Sequence, residues 1–189
     1  MEKQIFSGFD IQQINALIEA VKRQPQVGQA KLYSKVAWKS GFFTEASIKD
    51  FTVGGVTNTT SRSKPFIIPQ DHPPEMGGGT NKGAGAAELL LATLGHCITS
   101  GFASSAALMG IPIESLITDV EGDIDFQGNL GLPTIGAVRP GFQEIRVKYN
   151  VKSTATRGQL EKAMKMGEDI SPVKDSVRAV KFSSQLIIQ

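Results

Sequence analysis

The sequence predicts an α+β fold, and three observations carry that prediction. A long apolar stretch near the middle of the chain, about 85–109, reads as a buried helix. Runs with a two-residue hydrophobic period stand in groups before and after it. Helices do not alternate with each strand, as a doubly wound parallel sheet would require. The length of 189 residues allows a sizeable core and is short for two ordinary domains, so 1–189 reads as a single domain.

The elements follow in order. Asp10 can cap a first helix with Gln13 three residues on, and Ile11, Ile14, Leu17, Ile18 and Val21 give it one apolar stripe before Pro25 ends it. Leu32, Ser34, Val36 and Trp38 alternate with Lys31, Tyr33, Lys35 and Ala37. Phe42, Thr44, Ala46 and Ile48 alternate with Phe43, Glu45, Ser47 and Lys49, and Ser40-Gly41 between the runs predicts a hairpin. Residues 1–30 read as an N-terminal helical extension. Residues 51–83 read as a long loop-rich segment, with one short run at Phe66-Ile67-Ile68 and a loop from about Gln70 to Gly83.

The long helix follows, and Gly110 and Pro112 terminate it. Leu116, Val120, Ile124 and Phe126 then oppose Asp119, Glu121, Asp123 and Asp125, the pattern of a half-buried antiparallel strand. After a Gly/Pro-rich loop, 128–141, Ile145, Val147, Tyr149 and Val151 face inward. Thr156 and Gln159 open a helix through Leu160, Ala163 and Met164. Ser171-Pro172 cap a further helical turn, and 180–188 closes the chain as a strand.

Composition narrows the function. Hydrophobic residues make up 40% and charged residues 20% of the chain, the balance of a folded protein. Formal net charge is +2 and no basic run is interleaved with aromatics, which argues against a nucleic-acid partner. One cysteine permits no intramolecular disulfide, as suits a reducing compartment. The first residues, Met1 to Phe6, lack the basic-then-apolar order of a secretory signal. The central helix carries Glu88 and His96, which would be costly in hydrocarbon, so a core helix is expected rather than a membrane span. These readings point to the cytoplasm.

Cys97 is the one residue able to do thiol chemistry. A free cysteine is commonly a small buried hydrophobe, and reactivity needs a neighbouring group that stabilises the thiolate. Small residues surround this one (Gly95, Thr99, Ser100, Gly101, Ala103), so a ligand or another backbone can come close. The segment from Glu88 through Leu89-Leu90-Leu91-Ala92 to His96-Cys97 resembles the central helix of the OsmC/Ohr superfamily. Ile170-Ser171-Pro172-Val173 is similar to that family's second, Cys-Pro-Val motif. The resemblance covers about Lys31 to Gln189.

The resemblance implies an intertwined homodimer with antiparallel sheets wrapped around a long buried central helix. It implies a thiol-dependent peroxidase acting on organic hydroperoxides in oxidative-stress defence, without a cofactor, with Cys97 as the attacking residue and Glu88 as the site's acid. In the peroxidases a second cysteine condenses with the sulfenic acid formed on the first. Position 171, where that resolving cysteine belongs, is serine, so an external thiol reductant, or the second Cys97 of a dimer where the two lie close, would close the cycle. The peroxidase pattern places its acid where this chain has Ala87, and Glu88 fits the wider OsmC-like group. Nine positions along a helix place Glu88 ~180° around and ~13 Å from Cys97. A carboxylate favoured by the helix dipole is the other reading of Glu88.

Leu91 and Leu94 are expected to line an oily pocket, with His96 and Arg62 as further candidates. His96 lies ~100° around the helix from Cys97, so adjacency in sequence does not make a thiolate–imidazolium pair. No metal-ligand spacing links His72, His96 and Cys97. The glycine-rich run 77–83 lacks the Gly-Lys-Ser/Thr end of a phosphate loop. Asp123, Asp125 and Gly128 mimic a calcium loop whose twelfth position is Thr134 rather than glutamate. Two functions stay open: a one-cysteine peroxidase, or a non-catalytic protein binding a small apolar or thiol-containing ligand in the dimer-interface cavity.

Overall fold

The computed structural model describes residues 4–132 and 137–189. Strands β1 (Ile5–Phe6) and β2 (Phe9–Asp10) precede helix α1 (Ile11–Arg23). Six strands come next: β3 (Ala30–Leu32), β4 (Lys35–Ser40), β5 (Phe43–Ile48), β6 (Phe51–Val53), β7 (Val56–Asn58) and β8 (Phe66–Gln70). The long helix α2 (Ala86–Leu108) is followed by β9 (Ser115–Asp123), α3 (Phe126–Asn129) and β10 (Glu144–Lys152). Helices α4 (Arg157–Asp169) and α5 (Pro172–Ser176) and strand β11 (Lys181–Ile188) complete the chain. The fold class is α+β, as predicted. Residues up to Ile11 together with Leu90–Gln189 form one compact unit, and Gln12–Leu89 form another.

The first unit holds the apolar core. Its sheet has the order β11-β10-β9. Ile145, Val147, Tyr149 and Val151 of β10 are all buried, as their two-residue spacing requires. Leu94, Ile98, Phe102 and Ala106 recur every four residues on α2 and are buried as one stripe. The stripe packs on the sheet: the Phe102 and Tyr149 rings meet edge-to-face at 5.6 Å, and Thr99 donates to Thr118 at 2.6 Å. By length and composition α2 could cross a membrane; its packing on the sheet is that of a core helix. Its C-terminus is a Schellman motif, with Gly110 at φ +67° and Ile111 N–H donating to the Ala106 carbonyl at 2.8 Å.

Strands β9 and β10 pair antiparallel, with Val120 opposite Val147. Strand β11 runs parallel to β10, the exception to the expected antiparallel pairing; helices α4 and α5 supply the crossover that a parallel pair needs. Outward, Arg146 pairs with Asp123 at 2.6 Å and also with Glu121. The acidic strand is shorter than its alternation suggests. It ends at Asp123, and Asp125 leaves the solvent face to cap α3 by accepting from Gln127 N–H at 2.8 Å. Phe126, expected to face inward, is exposed as a result. Asp123 and Asp125 are thus committed to Arg146 and to a cap; Thr134 of the calcium-loop pattern lies outside the described residues.

The second unit is built from two small sheets, β3-β6-β7 and β4-β5-β8, with antiparallel pairing throughout. The run predicted as one strand, 31–38, is split: β3 pairs with β6, whereas β4 pairs with β5 in the expected hairpin. The loop-rich segment 51–83 contains three strands. Gly54-Gly55, with φ of +57° and +81°, is the two-residue turn that joins β6 to β7. A single carboxylate organises the glycine-rich loop. Asp71, fully buried, accepts hydrogen bonds from His72 N–H (2.8 Å), Thr80 N–H (3.0 Å), Thr80 Oγ1 (2.6 Å) and Lys82 N–H (3.2 Å). Backbone donors converging on an anion are what a phosphate loop offers a ligand. Here the protein's own carboxylate occupies them.

Candidate functional site

Cys97, Gly101 and Ser104 recur at helical spacing on α2, on a stripe beside the buried one. This stripe meets α4 at two glycines. A Cβ on Gly101 would lie 2.7 Å from the Gly167 carbonyl oxygen, and one on Gly167 would lie 2.3 Å from Phe102 N. The two helices therefore cross backbone against backbone, which any side chain at either position would prevent. The chain leaving α4 reaches Ser171 at once, and the close crossing brings Ser171 onto Cys97.

Ser171 is buried, and its side chain makes two hydrogen bonds. Its Oγ accepts from Lys174 N–H at 3.1 Å, capping α5, and donates to Cys97 Sγ at 3.1 Å. The sulfur, half-buried, faces an open cavity of about 340 Å³ lined by Phe9, Ser100, Gly101, Gly167, Ile170 and Pro172, among others. Among the described residues no charged side chain lines it. The hydroxyls of Ser100 and Ser104 donate to carbonyls of their own helix, His96 at 2.8 Å and Gly101 at 3.1 Å. The cavity is thus suited to an uncharged, largely apolar molecule placed against sulfur.

Behind Ser171 lies a buried polar cluster. Glu168 accepts from the Tyr149 hydroxyl at 3.1 Å and pairs with Lys174 Nζ at 2.8 Å, whose ammonium also stands 4.5 Å from the centre of the Phe182 ring. Burial, with the Glu168 carboxylate beside it, pushes the Tyr149 phenol well above its ordinary range. The cluster fixes the residue whose backbone N–H holds Ser171 in place.

The candidates read from sequence divide. Cys97 and Ser171 come together. Leu94 belongs to the buried stripe, and Leu91 lies close to Gly122 of β9, where an added Cβ would come within 3.1 Å of it; neither lines the cavity. His96 is exposed and outside the lining. Arg62 is in the other unit, where it donates to the Lys49 carbonyl at 3.0 Å and stacks on Phe51 and Phe66. Glu88 accepts from Gly85 N–H at 2.6 Å, satisfying an orphan donor at the start of α2. No cluster of three His, Cys, Asp or Glu side chains among the described residues is placed to hold a metal.

Some residues escaped the sequence reading. Phe9 carries no local signal for a position 88 residues away in sequence. Glu168 did carry one: Leu160, Ala163, Gly167 and Glu168 fall on a single helical stripe, which places the carboxylate on the buried face of α4.

A family model described as OsmC-like protein matches residues 79–185, more than half of the chain. The chain belongs to the OsmC-like family. Among curated proteins none matches it. Solved structures share its fold. An OsmC-like protein from Mycoplasma pneumoniae is 17% identical, with a TM-score of 0.60 over 84% of this chain and 96% of its own. An OsmC-like protein of unknown function from Vibrio cholerae is 15% identical, with a TM-score of 0.63 over 83% and 99%. An organic hydroperoxide resistance protein from Legionella pneumophila is 16% identical, with a TM-score of 0.50 over 82% and 96%. In this OsmC-like chain the family match begins at Gly79, so β1 to β8 lie outside it.

Proposed function

We propose that this OsmC-like protein is a one-cysteine thiol peroxidase for small organic hydroperoxides. The hydrogen bond from Ser171 to Cys97 Sγ at the floor of an uncharged cavity carries the reading. The bond fixes the sulfur where it faces the cavity, and the thiolate is the nucleophile of thiol chemistry. The thiolate attacks the terminal peroxide oxygen; an S–O bond forms, the O–O bond breaks, and the alkoxide takes a proton from water. Cys97 is then a sulfenic acid and the peroxide has been reduced to an alcohol. An external thiol condenses with the sulfenic acid, releasing water. A second thiol reduces the mixed disulfide, restoring Cys97 and leaving the reductant as a disulfide. No second cysteine exists in the chain to take the first of these steps.

The reading places the protein in the cytoplasm as a homodimer, which the open apolar faces of the Gln12–Leu89 unit support. In this reading Glu88 enters the site through a second copy, because within its own protomer its carboxylate accepts from Gly85 N–H at the start of α2. A non-catalytic reading, in which the cavity holds a small apolar or thiol-containing ligand, is favoured by the serine at 171. Peroxide consumption with cumene hydroperoxide and dithiothreitol separates the two. Turnover above a Cys97→Ser blank, with dimedone trapping on Cys97, supports the peroxidase. Equal consumption by both proteins and no adduct reject it.

A further inference from the structure

We infer that Phe9 is the specificity-determining wall of the Cys97 cavity, setting how bulky an apolar group can reach the sulfur. The inference rests on the site proposed above but not on its being a peroxidase. Phe9 stands far from Cys97 in sequence, outside the segment matched by the family model, yet it lines the same cavity and belongs to the same compact unit.

Its position is built rather than incidental. Strands β1 and β2 pair antiparallel with Phe6 opposite Phe9, and Ser7-Gly8 turn between them with φ of +48° and +83°. A positive φ at both central residues is the geometry of the tight hairpin turn that follows the strands' own twist. Ile11 N–H then donates to the Gln4 carbonyl at 3.0 Å, closing the hairpin at the start of α1. The ring is therefore carried on a closed loop.

The rest of the lining leaves little else to select by. Gly101 and Gly167 present backbone and are fixed by the helix crossing. Ser100 and Ser104 have committed their hydroxyl protons, and Ser171 has committed its own to Cys97. Among the lining residues, Phe9, Ile170 and Pro172 are the large apolar surfaces. Ile170 and Pro172 flank Ser171 in sequence, whereas Phe9 arrives on a separate hairpin. The ligand class is an uncharged molecule with an apolar substituent, and Phe9 limits the size of that substituent.

The test compares alkylation of Cys97 by two neutral reagents of one chemistry, N-ethylmaleimide and N-(1-pyrenyl)maleimide, in the full-length protein, Phe9→Ala and Phe9→Trp. The pyrenyl-to-ethyl rate ratio is expected to rise at least about tenfold in Phe9→Ala, the scale on which a pocket discriminates one methylene-sized change. It is expected to fall in Phe9→Trp, which keeps the inference testable if the alanine variant does not fold. A ratio that is the same in all three proteins overturns the inference. So does a Cys97 that reacts with neither reagent in any of them. Peroxide turnover is measured separately: a shifted ratio without turnover rejects the peroxidase and keeps the role of Phe9, and turnover with an unshifted ratio does the reverse.

Discussion

The two units of this chain are held together by opposite means. In the unit containing Leu90–Gln189, fourteen apolar residues among those described, drawn from α2, β10, α4 and their neighbours, are buried. In the Gln12–Leu89 unit none is; its buried positions are Asp71 and Gly85. There Leu32, Trp38 and Val56 stand 81%, 71% and 73% exposed, while a carboxylate gathers the loop around itself. The first unit is stabilised by area removed from water. The second relies on hairpin turns and local polar bonds and presents its apolar side chains outward, a surface of the kind that marks an interaction site.

The largest effect should come from the core of the first unit. Phe102→Ala removes a fully buried ring that meets Tyr149, and is expected to cost about 3–5 kcal/mol by urea denaturation. The matched change in the second unit, Trp38→Ala, should cost under about 1 kcal/mol in a dilute single protomer, as a surface substitution does. The pair sharpens the comparison when repeated across protein concentration. In a homodimer that covers the face of Trp38, the cost of its loss and the wild-type midpoint both rise with concentration. A concentration-independent midpoint with a small Trp38 effect argues against a second copy on that face.

The same contrast explains which parts of the fold were legible in the sequence. Where burial decides structure, periodicity reports it: α2, β10 and the capping box of Thr156 with Gln159 stand where their patterns put them. Where local polar bonds decide, periodicity is silent. Strands β1 and β2 are two residues each, too short to show a period. The turn at Gly54-Gly55 carries a hairpin signal, yet β6 and β7, with three residues apiece, are too short to show a period beside it. Asp71 looked like any loop aspartate, since its partners are mostly backbone N–H groups and those have no sequence signature. At the site, Cys97 and Ser171 were legible through the resemblance. The Gly101–Gly167 crossing that joins them was not, because either glycine alone reads as a helix weakness.

The role of Asp71 can be broken by acid. The Thr80 hydroxyl, with the N–H groups of His72, Lys82 and Thr80, holds its carboxyl down at about 2 against the opposing effect of burial. A lowered folded value means that the contribution is fully present above the unfolded value of ~3.9 and is lost as pH falls through about 2. The chain's single tryptophan, Trp38, reports from the same unit through its bond to the Gly41 carbonyl. Its fluorescence should change between those values in the wild type. In Asp71→Asn that transition should vanish, the loop being already loosened at neutral pH. An unchanged transition would show that Asp71 does not organise the unit.

A small change in stability should carry the most information about the site. Ser171→Ala removes the α5 cap, a loss of about 1 kcal/mol, and with it the hydrogen bond to Cys97. Cys97 alkylation at neutral pH should slow by more than the fold is weakened. If the rate is unchanged, Ser171 serves only the helix. Ser171→Cys asks the complementary question. With Oγ and Sγ already 3.1 Å apart, only a small adjustment separates a thiol there from the ~2.05 Å of a disulfide. Mild oxidation should therefore form an intramolecular disulfide, read as loss of two hydrogens in the intact mass and protection of Cys97 from alkylation. Cross-linked dimers in its place would mean that the sulfur is offered to a second copy. Oxidation would then break the view of the first unit as self-contained and give Cys97 the same outward dependence as the apolar faces of the other unit.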